Sequence, residues 1–212
     1  MLLDEIQRTS SAPQSVSKFK KNILLAIPPT GVFLREDRCQ TEAWTMPRPP
    51  MTLAYAAAFW EREGHTCSIV DCPGEKISWE GFEEGLKYRN PEVLFVNITM
   101  PTLAQDKKAF EIAKRFNPKI ITVAKGADLY ISDKEILEAC PDLDIGIRGE
   151  VDFSIQEILR TPEDLFNVPG ISFRNSQGEI IQNCQKDYDA DLDSFPFPAR
   201  HLLKNNLYPS GF

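Results

Sequence analysis

No run of residues in this 212-residue chain is long and apolar enough to cross a membrane. The N-terminus also lacks the basic-then-apolar order of a signal peptide. There is no block of like charge, and the formal net charge is −7, which argues against a nucleic-acid or anionic-membrane surface. Cysteine is sparse: Cys39, Cys67, Cys72, Cys140 and Cys184 form neither a CxxC pair nor a zinc knuckle. Such an odd, scattered set speaks against a disulfide framework and for reduced thiols in a cytoplasmic protein. No GxGxxG follows the first apolar run and no GxxxxGK[ST] occurs, which removes the usual signatures of nicotinamide and P-loop sites. Only two histidines are present, His65 and His201, and both read as turn or surface residues.

What the chain does have is alternation. Apolar composition is 42%, enough for one sizeable domain that buries on the order of 70% of its unfolded surface. Asn22–Ile27 is a short apolar run stopped by Pro28-Pro29, as a buried strand is. Met51–Glu63 reads as a helix, with Pro49-Pro50 before it and Gly64 after it. Thr66–Asp71, Val93–Thr99, Lys119–Ala124 and Asp144–Arg148 read as further strands. Helices are expected over Ile77–Tyr88, from Thr102 to Pro118, after Ser132 and over Phe153–Leu159. Thr102 with Gln105, and Ser132 with Glu135, have capping-box spacing. Asp152 reads as the cap of the last helix. Five alternations of strand and helix imply a doubly wound, flavodoxin-like (Rossmann-like) parallel five-stranded α/β sheet. In such sheets ligands sit beyond the carboxyl ends of the strands.

After Thr161 the period changes. Gly170–Asn175 and Glu179–Gln182 flank Ser176-Gln177-Gly178, a β-hairpin signal. The stretch from Asp189 through FPFPAR has the proline-rich composition of a linker. The expected organisation is a flexible N-terminal arm over 1–21, an α/β domain over 22–161, and a hairpin with linker over 162–212.

The segments NILLAIPP, PPMTLAYAAAFWEREGHTCSIVD, PEVLFVNITMPT, IGIRGEVDFSIQEIL, VPGISFRNSQGEII and DLDSFPFPARHLL follow one another in order. Read together, they resemble the N-terminal region of cobalamin-binding-domain radical SAM proteins. That family includes anaerobic magnesium-protoporphyrin monomethyl ester cyclase-like enzymes and many methyltransferases. The resemblance spans roughly residues 22 to 208. It implies a domain that binds a corrinoid and presents it to a radical SAM barrel of the same parent chain, where SAM and a [4Fe–4S] cluster would sit. This sequence has no CxxxCxxC for such a cluster. It is therefore read as non-catalytic by itself, and more as a fragment than as a naturally short protein.

The resemblance also implies site residues. The place of the family's DxHxxG motif, after the first strand, holds Pro28, Pro29, Thr30 and Gly31, so cobalamin would bind without a protein histidine on cobalt. Thr99 and Thr102 resemble the Ser/Thr positions that hold the nucleotide tail; strand end and helix cap are their ordinary roles. Gly126 resembles the second glycine of a Gly-Gly pair whose first position is here Lys125. Gly149 and Glu150 match the family's GE segment. Independently of the resemblance, Asp71 ends the second strand, where an acid would bind a ribose hydroxyl in a dinucleotide-like site, a site that the missing GxGxxG argues against. The segment Gly31–Arg48, with Trp44, reads as a loop over the ligand site or against the barrel. The rival reading is a degenerate α/β platform that has lost corrinoid and binds substrate, barrel or a partner subunit, with Lys125 as its motivation.

Overall fold

Every second residue of the first strand is buried toward the same side, and both sides are buried. Ile23, Leu25 and Ile27 of β1 (Asn22–Ile27) enter one hydrophobic cluster, while Leu24 and Ala26 enter the other. This is the period-2 consequence of strand geometry when helices cover both faces of a parallel sheet. The same split runs through the neighbouring strands: Phe95 and Val123 join the first cluster, Leu94, Val96 and Ala124 the second.

The computed structural model describes residues 20–30, 48–149, 154–160, 164–185 and 193–208, and the backbone of 34–35, 38–39, 151–153 and 192. Residues 1–19 of the expected arm, most of the Gly31–Arg48 loop and Glu150 lie outside the described residues. Within them, β1 is followed by α1 (Met51–Arg62), β2 (Thr66–Asp71), the one-turn α2 (Cys72–Glu75), α3 (Trp79–Arg89), β3 (Val93–Asn97), a 3₁₀ turn (Met100–Thr102), α4 (Leu103–Phe116), β4 (Ile121–Lys125), α5 (Leu129–Ala139), β5 (Ile145–Ile147), α6 (Val151–Arg160), β6 (Ile171–Arg174) and β7 (Ile180–Gln182). Leu34–Arg35 and Arg38–Cys39 pair as a separate two-residue antiparallel ladder.

The main sheet has the order β2-β1-β3-β4-β5-β6-β7. Its first five strands are parallel and in the flavodoxin-like order, whereas β6 and β7 run antiparallel. The sheet thus has seven strands rather than five. The hairpin after α6 docks on the edge of β5, pairing Ile145 with Phe173 and Ile147 with Ile171. Its inward residues Ile171 and Phe173 are too apolar to leave in water. α1 and α6 cover one face and α3, α4 and α5 the other.

Two cap expectations give way to tertiary context, and one short element was not anticipated. The helix expected over Ile77–Tyr88 is found as α3, capped by the Ser78 hydroxyl, which accepts from Gly81 N, and the unanticipated one-turn α2 precedes it. α5 begins at Leu129, before Ser132, which instead sits at a kink with φ −126° and ψ 33°. α6 begins at Val151, so Asp152 lies inside the helix and not at its cap.

The proline-rich segment is tied down. Phe195 packs edge-on to Phe59 at 5.5 Å, Ala199 N donates to Ala54 O (2.9 Å), and Arg62 Nη1 donates to Ser194 O (2.7 Å). On the same face, Trp60 Nε1 donates to Ile155 O (2.8 Å), and its ring meets Phe95 at 5.5 Å. Arg160 grips the buried Glu63 with two guanidinium nitrogens. Trp60 is fully buried where α1, α6 and β3 meet. Trp60→Ala is expected to lower unfolding free energy by about 3–5 kcal/mol, read as a reduced urea midpoint with an unchanged slope.

Candidate functional site

In this strand order the chain reverses its direction of travel between β1 and β3, and the carboxyl ends flanking that point form the switch-point crevice of an open α/β sheet. The candidate residues are spread along this edge. Asp71 ends β2, Thr30 is buried just beyond β1, Thr99 and Thr102 follow β3, Lys125 ends β4 with Gly126 next, and Gly149 follows β5. At one strand spacing each, the ends of β2 and β5 stand about 19 Å apart. Asp71 and Gly149 therefore cannot serve one small ligand group, whereas Thr99, Thr102 and Gly126 are neighbours.

Asp71 is 1% exposed and both its oxygens are engaged. Oδ1 accepts from Gly74 N (3.0 Å), capping α2, and Oδ2 accepts from Tyr208 Oη (2.8 Å) at the far end of the linker. Lys204 adds an ion pair with Glu75 beside it. These contacts occupy the carboxylate that the sequence left open for a ribose. The adjoining Cys72 is fully buried, and burial pushes its thiol up to about 12, so it is an inert thiol.

Gly126 is glycine for an internal reason. A Cβ there would lie 2.2 Å from Ile98 O. The approach is fixed by the ladder, in which Ile98 N donates to Lys125 O at 2.7 Å. Gly149 has φ +101°, a conformation that glycine adopts without a Cβ penalty. Asp128, two residues after Gly126, reaches across so that its Oδ2 accepts from Met100 N (3.0 Å). Neither histidine reaches this edge. His65 precedes β2 at the opposite edge, where its Nδ1 accepts from Lys21 N (3.1 Å) and burial lowers its pKa. His201 Nε2 lies 3.1 Å from Glu61 Oε1 on the surface.

The two threonines form part of a chain that ends in a buried acid. Thr99 and Thr102 hydroxyls are 2.8 Å apart, and Thr102 Oγ1 is 2.7 Å from Asp106 Oδ2. Asp106 is 1% exposed. Burial raises its pKa to about 7, with the Thr102 hydroxyl and the Thr99 backbone amide pulling it back down. Thr102 is thus reciprocated by Thr99 and Asp106, not by Gln105, whose side-chain carbonyl is buried without a donor among the described residues. Sequence reasoning passed over Asp106. The available signal was its i, i+4 spacing from Thr102, which puts both on one helix face.

A shallow groove of about 240 Å³ between α3 and α4, lined by Leu86, Ile112, Arg115 and Phe116 among others, lies away from this edge. Among the described residues no helix is long and apolar enough to cross a membrane.

The fold is that of an open α/β domain, similar to one present in solved cobalamin-dependent radical SAM enzymes. Among solved structures, the fold matches OxsB, a cobalamin-dependent S-adenosylmethionine radical enzyme determined with aqua-cobalamin and S-adenosylmethionine bound, with a TM-score of 0.62 at 17% identity over 85% of this chain and 24% of that one. It also matches TsrM, a radical S-adenosylmethionine methyltransferase of Kitasatospora setae, with a TM-score of 0.61 at 15% identity over 77% of this chain and 30% of that one. In sequence, the chain is 24% identical over 189 residues to an uncharacterized methyltransferase of Pyrococcus horikoshii, a match covering 88% of this chain and 39% of the relative. It is 25% identical over 152 residues to the anaerobic magnesium-protoporphyrin IX monomethyl ester cyclase of Rubrivivax gelatinosus, covering 68% and 27%. The chain therefore spans well under half the length of these relatives. No protein-family model matches it.

Two outcomes follow from this site. A carboxyl whose folded pKa is raised from 3.8 to about 7 favours folding below its unfolded pKa, and that contribution is lost as pH rises through the folded value. Wild type should lose roughly 4 kcal/mol relative to Asp106→Asn across this interval, measured by urea unfolding of both proteins as a function of pH. Gly126→Ala, whose Cβ collides with backbone, should cost about 1–3 kcal/mol in the same assay.

Proposed function

We propose that this chain is the corrinoid-holding domain of a cobalamin-dependent radical SAM enzyme, orienting the cofactor toward a catalytic barrel. The observation that carries this reading is the fold likeness over 85% of the chain to an enzyme solved with aqua-cobalamin bound. The ordered sequence segments and the switch-point crevice beside Thr99 support it.

The residues at that crevice fit a corrinoid in part. Thr99 is half-buried at the carboxyl edge, and on α4 the side-chain carbonyl of Gln105 is buried with no donor among the described residues. A buried polar atom of this kind is commonly satisfied by water, an ion or a ligand. The segment Pro28-Pro29-Thr30 offers no imidazole to cobalt. In this reading Thr99, Thr102, Lys125, Gly126, Gly149 and Glu150 border the corrinoid, and Thr30 and Asp71 shape the neighbouring edge. The cofactor, when bound, supplies the alkyl- or electron-transfer chemistry of cobalt; the chain supplies binding and orientation. SAM and a [4Fe–4S] cluster belong to the barrel.

A second reading, the corrinoid-free platform, draws on a different observation. Asp71 is closed by Tyr208, and Gly126 is packed against Ile98 O, so part of the edge is already filled from within.

Reconstitution with hydroxocobalamin separates the two. The corrinoid reading predicts visible corrin absorbance retained at about one equivalent after desalting at micromolar protein. Complete loss of absorbance contradicts it and favours the platform.

A further inference from the structure

The hydrogen-bond chain Asp106–Thr102–Thr99 has more consequence than a helix cap needs. A buried carboxyl at the head of α4 is linked through two hydroxyls, at 2.7 and 2.8 Å, to a half-buried residue at the switch-point edge. From this arrangement we infer that Asp106 is a positioning residue that sets the polarity of Thr99: whether the Thr99 hydroxyl offers a proton or a lone pair to the group bound at the carboxyl edge.

The argument is a count of protons and lone pairs. Ionised Asp106 can only accept, so the single hydroxyl proton of Thr102 goes to Oδ2. Thr102 Oγ1 is then an acceptor for the Thr99 hydroxyl, and Thr99 is left with lone pairs to offer. Protonated Asp106 donates to Thr102 Oγ1 instead. Thr99 N, 3.3 Å away, takes the other lone pair of Thr102, whose own proton turns to Thr99 Oγ1 or to Thr99 O at 3.2 Å. No site on Thr102 remains for the Thr99 hydroxyl proton, and it is released toward the edge. One proton on a buried acid thereby reverses two hydrogen bonds and exchanges the recognition preference of Thr99 from N–H and O–H groups to carbonyl oxygens and ring nitrogens.

The surroundings leave this acid poised to titrate. Burial drives its pKa to about 7, and only the Thr102 hydroxyl and the Thr99 amide oppose that shift. Titratable groups on the elements around it include Lys107, Lys108 and Glu111 on α4, Lys125 at the end of β4, Asp128 at the head of α5 and the Cys140 thiol just past its end. Asp128 is engaged by Met100 N. Cys140 interacts electrostatically with both Asp106 and Lys107, and burial raises its own pKa.

The inference rests on the corrinoid reading for the identity of the bound group but not for the switch itself, and the test is built accordingly. The Cβ and methyl resonances of the Thr99 and Thr102 side chains, which report the hydroxyl chain and not the Thr99 amide, are followed by NMR in the cobalamin-free chain between about pH 5 and pH 9. The same series is then repeated with hydroxocobalamin as the probe. Wild-type Thr99 should report a transition with a midpoint of about 7. Asp106→Asn should abolish it. Thr102→Val, which cuts the chain but keeps the acid, should abolish the response at Thr99 while the Asp106 carboxyl still titrates. Hydroxocobalamin affinity should change about tenfold across the transition, as expected for one hydrogen bond gained or lost, and should be flat in Asp106→Asn, which also corrects for any change in cobalamin itself. Tighter binding at low pH identifies a lone-pair group against Thr99, and tighter binding at high pH an N–H or O–H group. A Thr99 resonance that is flat in wild type, or that titrates equally in Thr102→Val, overturns the switch. Titration of Thr99 with no hydroxocobalamin bound at any pH upholds the switch and overturns the corrinoid reading.

Discussion

Burial of β1 on both faces is the constraint from which the rest follows. Ile23, Leu24, Leu25 and Ala26 are at most 2% exposed, so β1 must lie between two layers of helices and between two parallel strands, β2 and β3. Parallel strands need crossovers, crossovers place helices on both faces, and the order β2-β1-β3 then opens a crevice at the carboxyl ends. Loops leave such a sheet at both strand ends, and ligands meet the carboxyl one. The glycines, threonines and acids of interest consequently gather at one edge, whatever ligand meets them.

That edge is not uniform. On the β2 side it is closed by the chain itself: the linker crosses α1 through Phe195 and Ala199 and ends with Tyr208 on Asp71 and Lys204 on Glu75. On the β3–β4 side it is built from short internal contacts, Gly126 against Ile98 O and Asp128 on Met100 N, that fix backbone positions while leaving Thr99 half-buried. Rigid backbone beside an adaptable hydroxyl suits a site that recognises a ligand already shaped elsewhere, because little ordering cost remains to be met on binding. The buried acid behind Thr99 adds a protonation state to that recognition.

Much of the fold was legible because the strands obey a period that few other structures share. Asn22–Ile27 and Thr66–Asp71 are the strands that the apolar runs mark out, and the fifth alternation ends in α6 as the pattern requires. The docking of the hairpin on β5 was not legible, since a hairpin signal is local and cannot say which edge it will cover. Ser132 and Asp152 were misread as caps because propensity marks residues that suit a helix start, while the packing of Leu129 and of α6 decides where the helix begins. At the site, Thr99 and Thr102 stood out by position, but Asp106 did not. An acid in the first turn of a helix looks like an ordinary dipole partner, and only burial distinguishes it.

The central claim is that the edge around Thr99 and Gly126 is where this chain holds a corrinoid. Hydrogen–deuterium exchange with and without hydroxocobalamin tests it most directly, because the readout is the location of contact. A corrinoid held there slows exchange only at residues 98–106 and 125–131 and leaves the amino edge around His65 and the α3–α4 groove unchanged. Unaltered exchange at 98–106 and 125–131, with or without protection elsewhere, would contradict it.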